Sequence, residues 1–445
     1  IERKLFFRNK FHSAIALNDG LYGAANRTFL LRFIGMYIMA KVALQASTQI
    51  SPKSWLLAFC LSLLPAFLVS PSVFWLLCNS LAVLGIFMLL GLLRHRGTFN
   101  AADKALQVLP RCLMFIWCPI LFALIDNPIV ISQQIWGYPL YALMALAAVV
   151  ILRSGNAVKP LAILLSWLSG IMLFNGVSQL ALGMDMLNRP FNTQQVTSFF
   201  STADDYSFYM GMMAVIPLYT LYLVGANRLS HLLMTTFVVS SLLITTNLST
   251  WLMSFWAILP YLYVVYLKPS KRPIVPMVVV PLWLAAMFFV VQQFSTQAQQ
   301  TMALGGYLHD ISNMWRLNSE LLAAHWFNGL GVGNFEAAFV SLSGNAQLPL
   351  GIDISHPNNV LLDVLVSTGV IGFLGLLLTW AAMWRLWQQA LPMQKKLALP
   401  VLMPVVAMWW PINISHSFYS PQLAAISFFF LALSIAALTQ HSEQQ

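Results

Sequence analysis

The sequence predicts an all-α polytopic membrane protein, with about 12 transmembrane helices and one long periplasmic loop that contains short helices. Three observations predict it. Hydrophobic residues make up 59% of the 445-residue chain and charged residues 8%, whereas a soluble domain carries about 25% charged residues. Apolar runs recur from end to end, so the membrane region is the whole chain rather than an anchor on a soluble domain. The connections between runs alternate between basic and charge-poor, as cytoplasmic and external loops do.

Residues 1–27, with Arg3, Lys4, Arg8, Lys10 and Arg27, read as a basic cytoplasmic arm. An N-terminal transmembrane bundle over 28–293 follows. Its apolar spans are expected near 28–46, 54–69, 71–93, 111–126, 136–152, 160–183, 206–224, 230–248, 250–267 and 274–293. A periplasmic loop over 294–368 comes next. The region 369–445, with spans near 369–387, 397–413 and 421–439, closes the chain with a short tail. Basic connections hold Arg94, Arg96, Lys104 and Arg111, then Arg153 and Lys159, Arg228, Lys268 with Lys271 and Arg272, and Arg385 with Lys395 and Lys396. This set is assigned to the cytoplasm, and 184–205 and 294–368 to the periplasm of a bacterial inner membrane. Three apolar blocks precede Arg94, but a cytoplasmic N-terminus requires an even number, so one of the three is expected not to cross.

Lys and Arg exceed Asp and Glu by 23 to 13, a net charge of +10. In this setting the excess is a topology signal. No nucleic-acid motif accompanies it, and no nucleic-acid partner is expected; the expected surroundings are membrane lipids. Cys60, Cys78, Cys112 and Cys118 have neither redox nor zinc spacing, and read as buried inert thiols.

The segment 294–368 is long for a chain of short connections, and long loops in compact proteins are usually functional or disordered. It carries Trp315, Trp326, Phe327 and Phe335, which can pack. It also concentrates polar groups, among them His309, Asp310, Arg316, Glu320, His325, Glu336, Asp353, His356, Asn358, Asn359 and Asp363. Asn328-Gly-Leu-Gly-Val-Gly-Asn-Phe335 is a glycine-rich turn whose context does not suit a nucleotide fingerprint; Gly331 and Gly333 read as structural. In Ser355-His-Pro-Asn-Asn359, Pro357 suits the first turn of a helix, which places His356 at a helix N-terminus on the membrane boundary.

Arg316, Gly331-Val-Gly-Asn-Phe335, His356-Pro-Asn-Asn359 and Thr368-Gly-Val-Ile-Gly372 follow one another on a single external loop. In that order they resemble the O-antigen ligase and O-antigen polymerase superfamily. These are multi-span GT-C-type transferases of glycans carried on undecaprenyl diphosphate. The resemblance implies His356 as the general base that takes the acceptor hydroxyl's proton. An imidazole ordinarily titrates near neutrality and suits that task. It implies Arg316 as the group gripping the diphosphate, through a planar fork that meets two oxygens at once. Asn358 and Asn359 are expected to touch substrate, and Pro357, Gly369 and Gly372 to be structural. No metal and no cofactor is implied. Expected partners are an undecaprenyl-diphosphate-linked glycan donor and an acceptor that is either lipid A–core or a growing glycan.

The family usually carries a Ser-Arg-Gly-like motif at the external end of an earlier span. Here the stretch is Thr245-Thr-Asn-Leu-Ser-Thr-Trp251, with Leu248 in the arginine's place. Arg189, in Arg189-Pro-Phe-Asn192, is the candidate replacement. Blander readings stand beside these: a helix-start histidine can be a cap, Arg316 can pair with Asp310 or Glu320, and Arg189 can anchor its loop beside Asp185. Ligation to lipid A–core and polymerisation of repeat units share the same donor. A transporter or flippase is the rival of another class, but no internal repeat of the kind transporters show is present.

Overall fold

The computed structural model describes residues 50–94, 104–126, 133–187, 196–245, 248–267, 318–343, 355–357, 359–411 and 416–440. Among these residues the protein is helical, with no β-strand. The helices are α1 (Pro52–Ala66, extended by a 3-10 turn Phe67–Val69), α2 (Pro71–Arg94), α3 (Lys104–Asp126), α4 (Gln133–Gly155) and α5 (Val158–Leu182). Next come α6 (Ala203–Met213), α7 (Ile216–Val224), α8 (Arg228–Ile244) and α9 (Leu248–Leu262, continued by a π turn Tyr263–Leu267). Beyond these lie α10 (Phe335–Ser343), α11 (Val360–Gln389), α12 (Pro392–Met408) and α13 (Pro421–Leu438). Residues 318–324 are helical as well.

Among the described residues, seven stretches are long and apolar enough to cross a membrane: 52–69, 71–91, 104–123, 158–180, 203–224, 360–389 and 421–438. Two shorter apolar helices cover 137–153 and 253–265. The blocks expected at 28–46 and 274–293, and the arm at 1–27, lie outside the described residues. α3 begins at Lys104, seven residues ahead of the expected span, because Lys104 and Gln107 dilute its apolar signal without interrupting the helix. The last part of the expected loop, residues 360–368, is the beginning of α11.

Burial sorts the helices. Of the best apolar window, 89% is buried in α13 and in the α6–α7 pair, against 22% in α2. α13 therefore runs through the middle, against α4 and α12, while α2 lies outside on α4. Phe87 and Leu76 of α2 are 67% and 65% exposed. Apolar side chains turned outward from a membrane bundle meet lipid and need no further partner. Cys78 and Cys112 are buried, but Cys60 is exposed and Cys118 partly so; the reading of all four thiols as buried fails at Cys60, on the outer face of α1.

Among the described residues, the basic connections meet at one end of the bundle. Lys104 Nζ donates to Gln389 Oε1 over 3.5 Å. Gln440, past the end of α13, reaches Asn156 beyond α4, and Gln394 at the start of α12 donates to the Gln440 carbonyl. Lys396 stands over the Tyr222 ring at 5.1 Å. At the other end, the beginnings of α6, α11 and α13 come together. The α1–α2 joint at Ser70 lies there too, since Leu68, Val69 and Pro71 share a cleft with Asp205 and His416. Both α1 and α2 thus have the length to run between the two ends, and the parity question rests on residues 28–46.

Candidate functional site

α11 begins with a capped turn and contains a break. Asn359 is the N-cap: its backbone is extended (φ −158°, ψ 121°), and its Oδ1 accepts from the Leu361 and Leu362 N–H groups at 3.0 and 3.2 Å. Side-chain oxygens at this position satisfy N–H groups that the helix itself cannot. The expectation for Pro357 is corrected here. Pro52, Pro217, Pro392 and Pro421 do sit in first turns, but Pro357 lies two residues before the cap because Asn359 takes that role. His356 therefore stands just outside the helix, 2% exposed, with Nδ1 3.1 Å from Ser355 Oγ. Asn359, expected to touch substrate, spends its side-chain oxygen on the cap.

The break falls at Gly369, with φ 65° and ψ −164° inside an otherwise regular helix. A β-carbon there would strike the Phe327 carbonyl, so both the conformation and the close approach require glycine. Breaking a helix strands backbone groups, and buried ones must find partners. Val370 N–H, which would ordinarily bond the Val366 carbonyl, donates to Trp326 O at 2.9 Å. The freed Val366 and Ser367 carbonyls accept from Leu330 and Gly331 N–H at 2.7 and 3.0 Å. Residues 326–331 are thus stitched into the gap, helped by positive φ at Gly329, Gly331 and Gly333. Below them Leu321, Leu330, Phe335, Phe339 and Val366 form a small separate core. Trp326 and Phe327, expected to pack, are 58% and 53% exposed instead, because this stretch is held through its backbone.

Asp363, one turn into α11, is 2% exposed. Its Oδ1 accepts from Ser367 Oγ at 3.2 Å, and its Oδ2 from Ser417 Oγ at 2.7 Å and Phe418 N–H at 2.6 Å. A buried carboxylate persists when its lone pairs are used in this way. His356 lies close enough to act on it electrostatically. The connection between α12 and α13 is fastened to α11 at two further points. Val360 N–H donates to Pro411 O at 2.8 Å, and Thr368 Oγ1 meets Tyr419 OH at 2.7 Å. Gly372 leaves room for Thr368 at that contact. Burial pushes the Tyr419 phenol well above its ordinary range, so it stays protonated and can donate.

Beside Ser417, His416 turns to a second carboxylate. Its Nε2 is 3.5 Å from Asp205 Oδ1, and the ring lies 4.5 Å from that of Phe208. Thr202 caps α6 by accepting from Asp205 N–H at 3.1 Å, and its hydroxyl donates to Asp205 Oδ2 at 2.6 Å, which fixes the carboxylate. The preceding segment 196–201 is pinned by α5. Gln179 Oε1 accepts from Thr197 and Ser198 N–H at 2.9 and 2.8 Å, and Asn175 Nδ2 donates to Ser198 Oγ at 3.0 Å.

Residues 232–377 match the family model described as O-antigen ligase. The matched segment is about a third of the chain. The match supports membership of the O-antigen ligase and polymerase superfamily, and the apolar helices make the protein a multi-pass membrane protein. No curated protein matches the chain. The matched segment takes in His356, Asp363, the stitched glycine turn and the Gly369 break; Asp205, His416 and Ser417 lie outside it.

Arg316, Arg189 and Asn358 lie outside the described residues. Leu248 opens α9, and the stretch it belongs to is beside α6, where Ser207 Oγ donates to Thr245 O at 3.2 Å and Ser254 Oγ to Gly211 O at 3.1 Å. The position of the family's arginine is therefore at the Asp205 end of α6. Sequence reasoning named Asp363 without a role and missed Ser417 and His416 as its neighbours. Its one signal was an aspartate seven residues after His356 in an apolar run, where an unpartnered charge is costly.

Proposed function

We propose that the protein is an inner-membrane glycosyltransferase that moves a glycan from undecaprenyl diphosphate to lipid A–core on the periplasmic face. The observation that carries this reading is the burial of His356 beside Asp363, at the start of α11, within the segment that matches the O-antigen ligase family and at the end away from the basic connections. The acceptor hydroxyl oxygen attacks the anomeric carbon of the donor sugar. The bond from that carbon to the diphosphate oxygen breaks, and undecaprenyl diphosphate departs with the electron pair. His356 takes the hydroxyl proton, and the negative charge of Asp363 favours the imidazolium that results. Arg316 meets the charge that develops on the leaving diphosphate, with Arg189 as the second cation in place of the family arginine at Leu248. Asn358 is a further substrate contact in this scheme. Gly331, Gly333, Pro357, Gly369 and Gly372 hold the backbone around it.

In a transfer assay with lipid-linked glycan, His356→Ala is expected to lower the rate by about 10²–10⁴-fold, the usual worth of a positioned base, with the protein still inserted and folded. Arg316→Ala should fail likewise and Arg316→Lys recover little, because an ammonium cannot replace the bidentate fork. Undiminished transfer by His356→Ala would overturn the assignment. Polymerisation of repeat units uses the same donor and base. In a deletion strain, loss of all long chains with lipid-linked polymer accumulating marks a ligase, and a core bearing a single repeat marks a polymerase.

A further inference from the structure

The cleft at Asp205 and His416 stands near the Asp363 network, and nothing described so far gives it a role. It opens between the α1–α2 joint, the start of α6 and the start of α13. Leu68, Val69, Leu423 and Ile426 make its apolar wall. Phe208 and Tyr209, both buried, close its floor, and Ser201, Asp205, His416 and Gln422 supply polar groups. The Asp205 side chain is 36% exposed and that of His416 is 18%, so the pair is reachable. Tyr209 is 1% exposed and its hydroxyl has no hydrogen-bond partner among the described residues; the same holds for His416 Nδ1. Buried polar atoms without partners are uncommon and call for an occupant.

From these features we infer that this cleft is a saccharide-binding subsite, which takes a neutral sugar unit of the glycan substrate next to the transfer site. The inference rests on the reading of the protein as a glycan transferase and assigns it a specificity site. A carboxylate, an amide, an imidazole and a hydroxyl around an aromatic floor suit a ligand with vicinal hydroxyls on one side and a C–H face on the other. The Asp205 carboxylate at the mouth of the cleft accepts from sugar hydroxyls and repels a phosphate. Placement fits as well. Ser417, bonded to Asp363, is the immediate neighbour of His416, so the cleft adjoins the network around Asp363. Asp205 and His416 bind here and take no part in bond making.

The test is saturation-transfer NMR on the full-length protein in nanodiscs. The probes are lipid-free core oligosaccharide and lipid-free repeat-unit oligosaccharide from the same cell, with palmitate as the competing lipid probe. Signal on the ring protons of either sugar is expected. Ser201→Trp, on the exposed rim where folding tolerates bulk, should remove that signal and raise the acceptor KM about tenfold, with kcat within about twofold. His356→Ala should keep the signal while losing transfer. No sugar signal in the wild type, displacement by palmitate, or an unchanged signal and KM in both Ser201→Trp and Asp205→Asn would overturn the subsite. Transfer that survives His356→Ala while the sugar signal remains sensitive to Ser201→Trp would remove the catalytic reading and leave the subsite standing.

Discussion

Two histidine–aspartate pairs adjoin the connection between α12 and α13, and they are built differently. The His356–Asp363 pair is sealed: each member is 2% exposed, and the carboxylate receives three donors from two elements. The His416–Asp205 pair faces a cleft, with its carboxylate steadied only by Thr202 and the histidine. A base must hold one geometry through the reaction, and a network of satisfied donors provides it. A group that recognises successive sugars gains from access to water and to its ligand. In the proposed mechanism, burial thus separates the group that takes the proton from the groups that hold the sugar.

That contrast can be broken from its sealed side first. Asp363→Ala leaves Ser367, Ser417 and Phe418 N–H without their acceptor. It should cost about 3 kcal/mol or more, seen as a large drop in the thermal midpoint in detergent, together with loss of transfer. Asp363→Asn, which keeps the shape, should restore much of the midpoint but little of the transfer; full activity in that variant would remove the charge from the argument. Gly369→Ala comes next. A side chain at φ 65° against the Phe327 carbonyl should cost about 2 kcal/mol and detach residues 326–331, which limited proteolysis would detect as new cleavage there. Asp205→Asn should have the smallest effect on folding, below about 1 kcal/mol for a partly exposed charge. Its signature is a raised acceptor KM, and a midpoint loss as large as that of Asp363→Ala would erase the distinction between the pairs.

Much of the fold was legible because a crossing helix must be apolar whether it faces lipid or neighbouring helices. The blocks near 54–69, 71–93, 136–152 and 421–439 coincide with helices α1, α2, α4 and α13 to within a few residues. The described basic connections do gather at one end. Polar residues that serve the interior were harder to read. Asp363, Ser367 and Thr368 made residues 360–368 look like loop, although they are helical, because their partners Ser417, Phe418 and Tyr419 come from a connection more than 50 residues away. Periodicity carries no information about such distant partners. His356 was found through its surrounding motif, whereas the pairing of His416 with Asp205 has no local pattern at all.

The break at Gly369 divides α11 unequally. The portion from 370 to 389 is long enough, at about 1.5 Å per residue, to cover the roughly 30 Å of hydrocarbon by itself. The residues before the glycine are then not needed to make up the length of a crossing. Trp326 and Phe327, bare at the level of the break, are the kind of rings that settle at a membrane boundary. A single residue without a side chain therefore sets where the unbroken helix begins, and in the proposed mechanism it is what would hold the histidine at the height of a lipid-borne pyrophosphate.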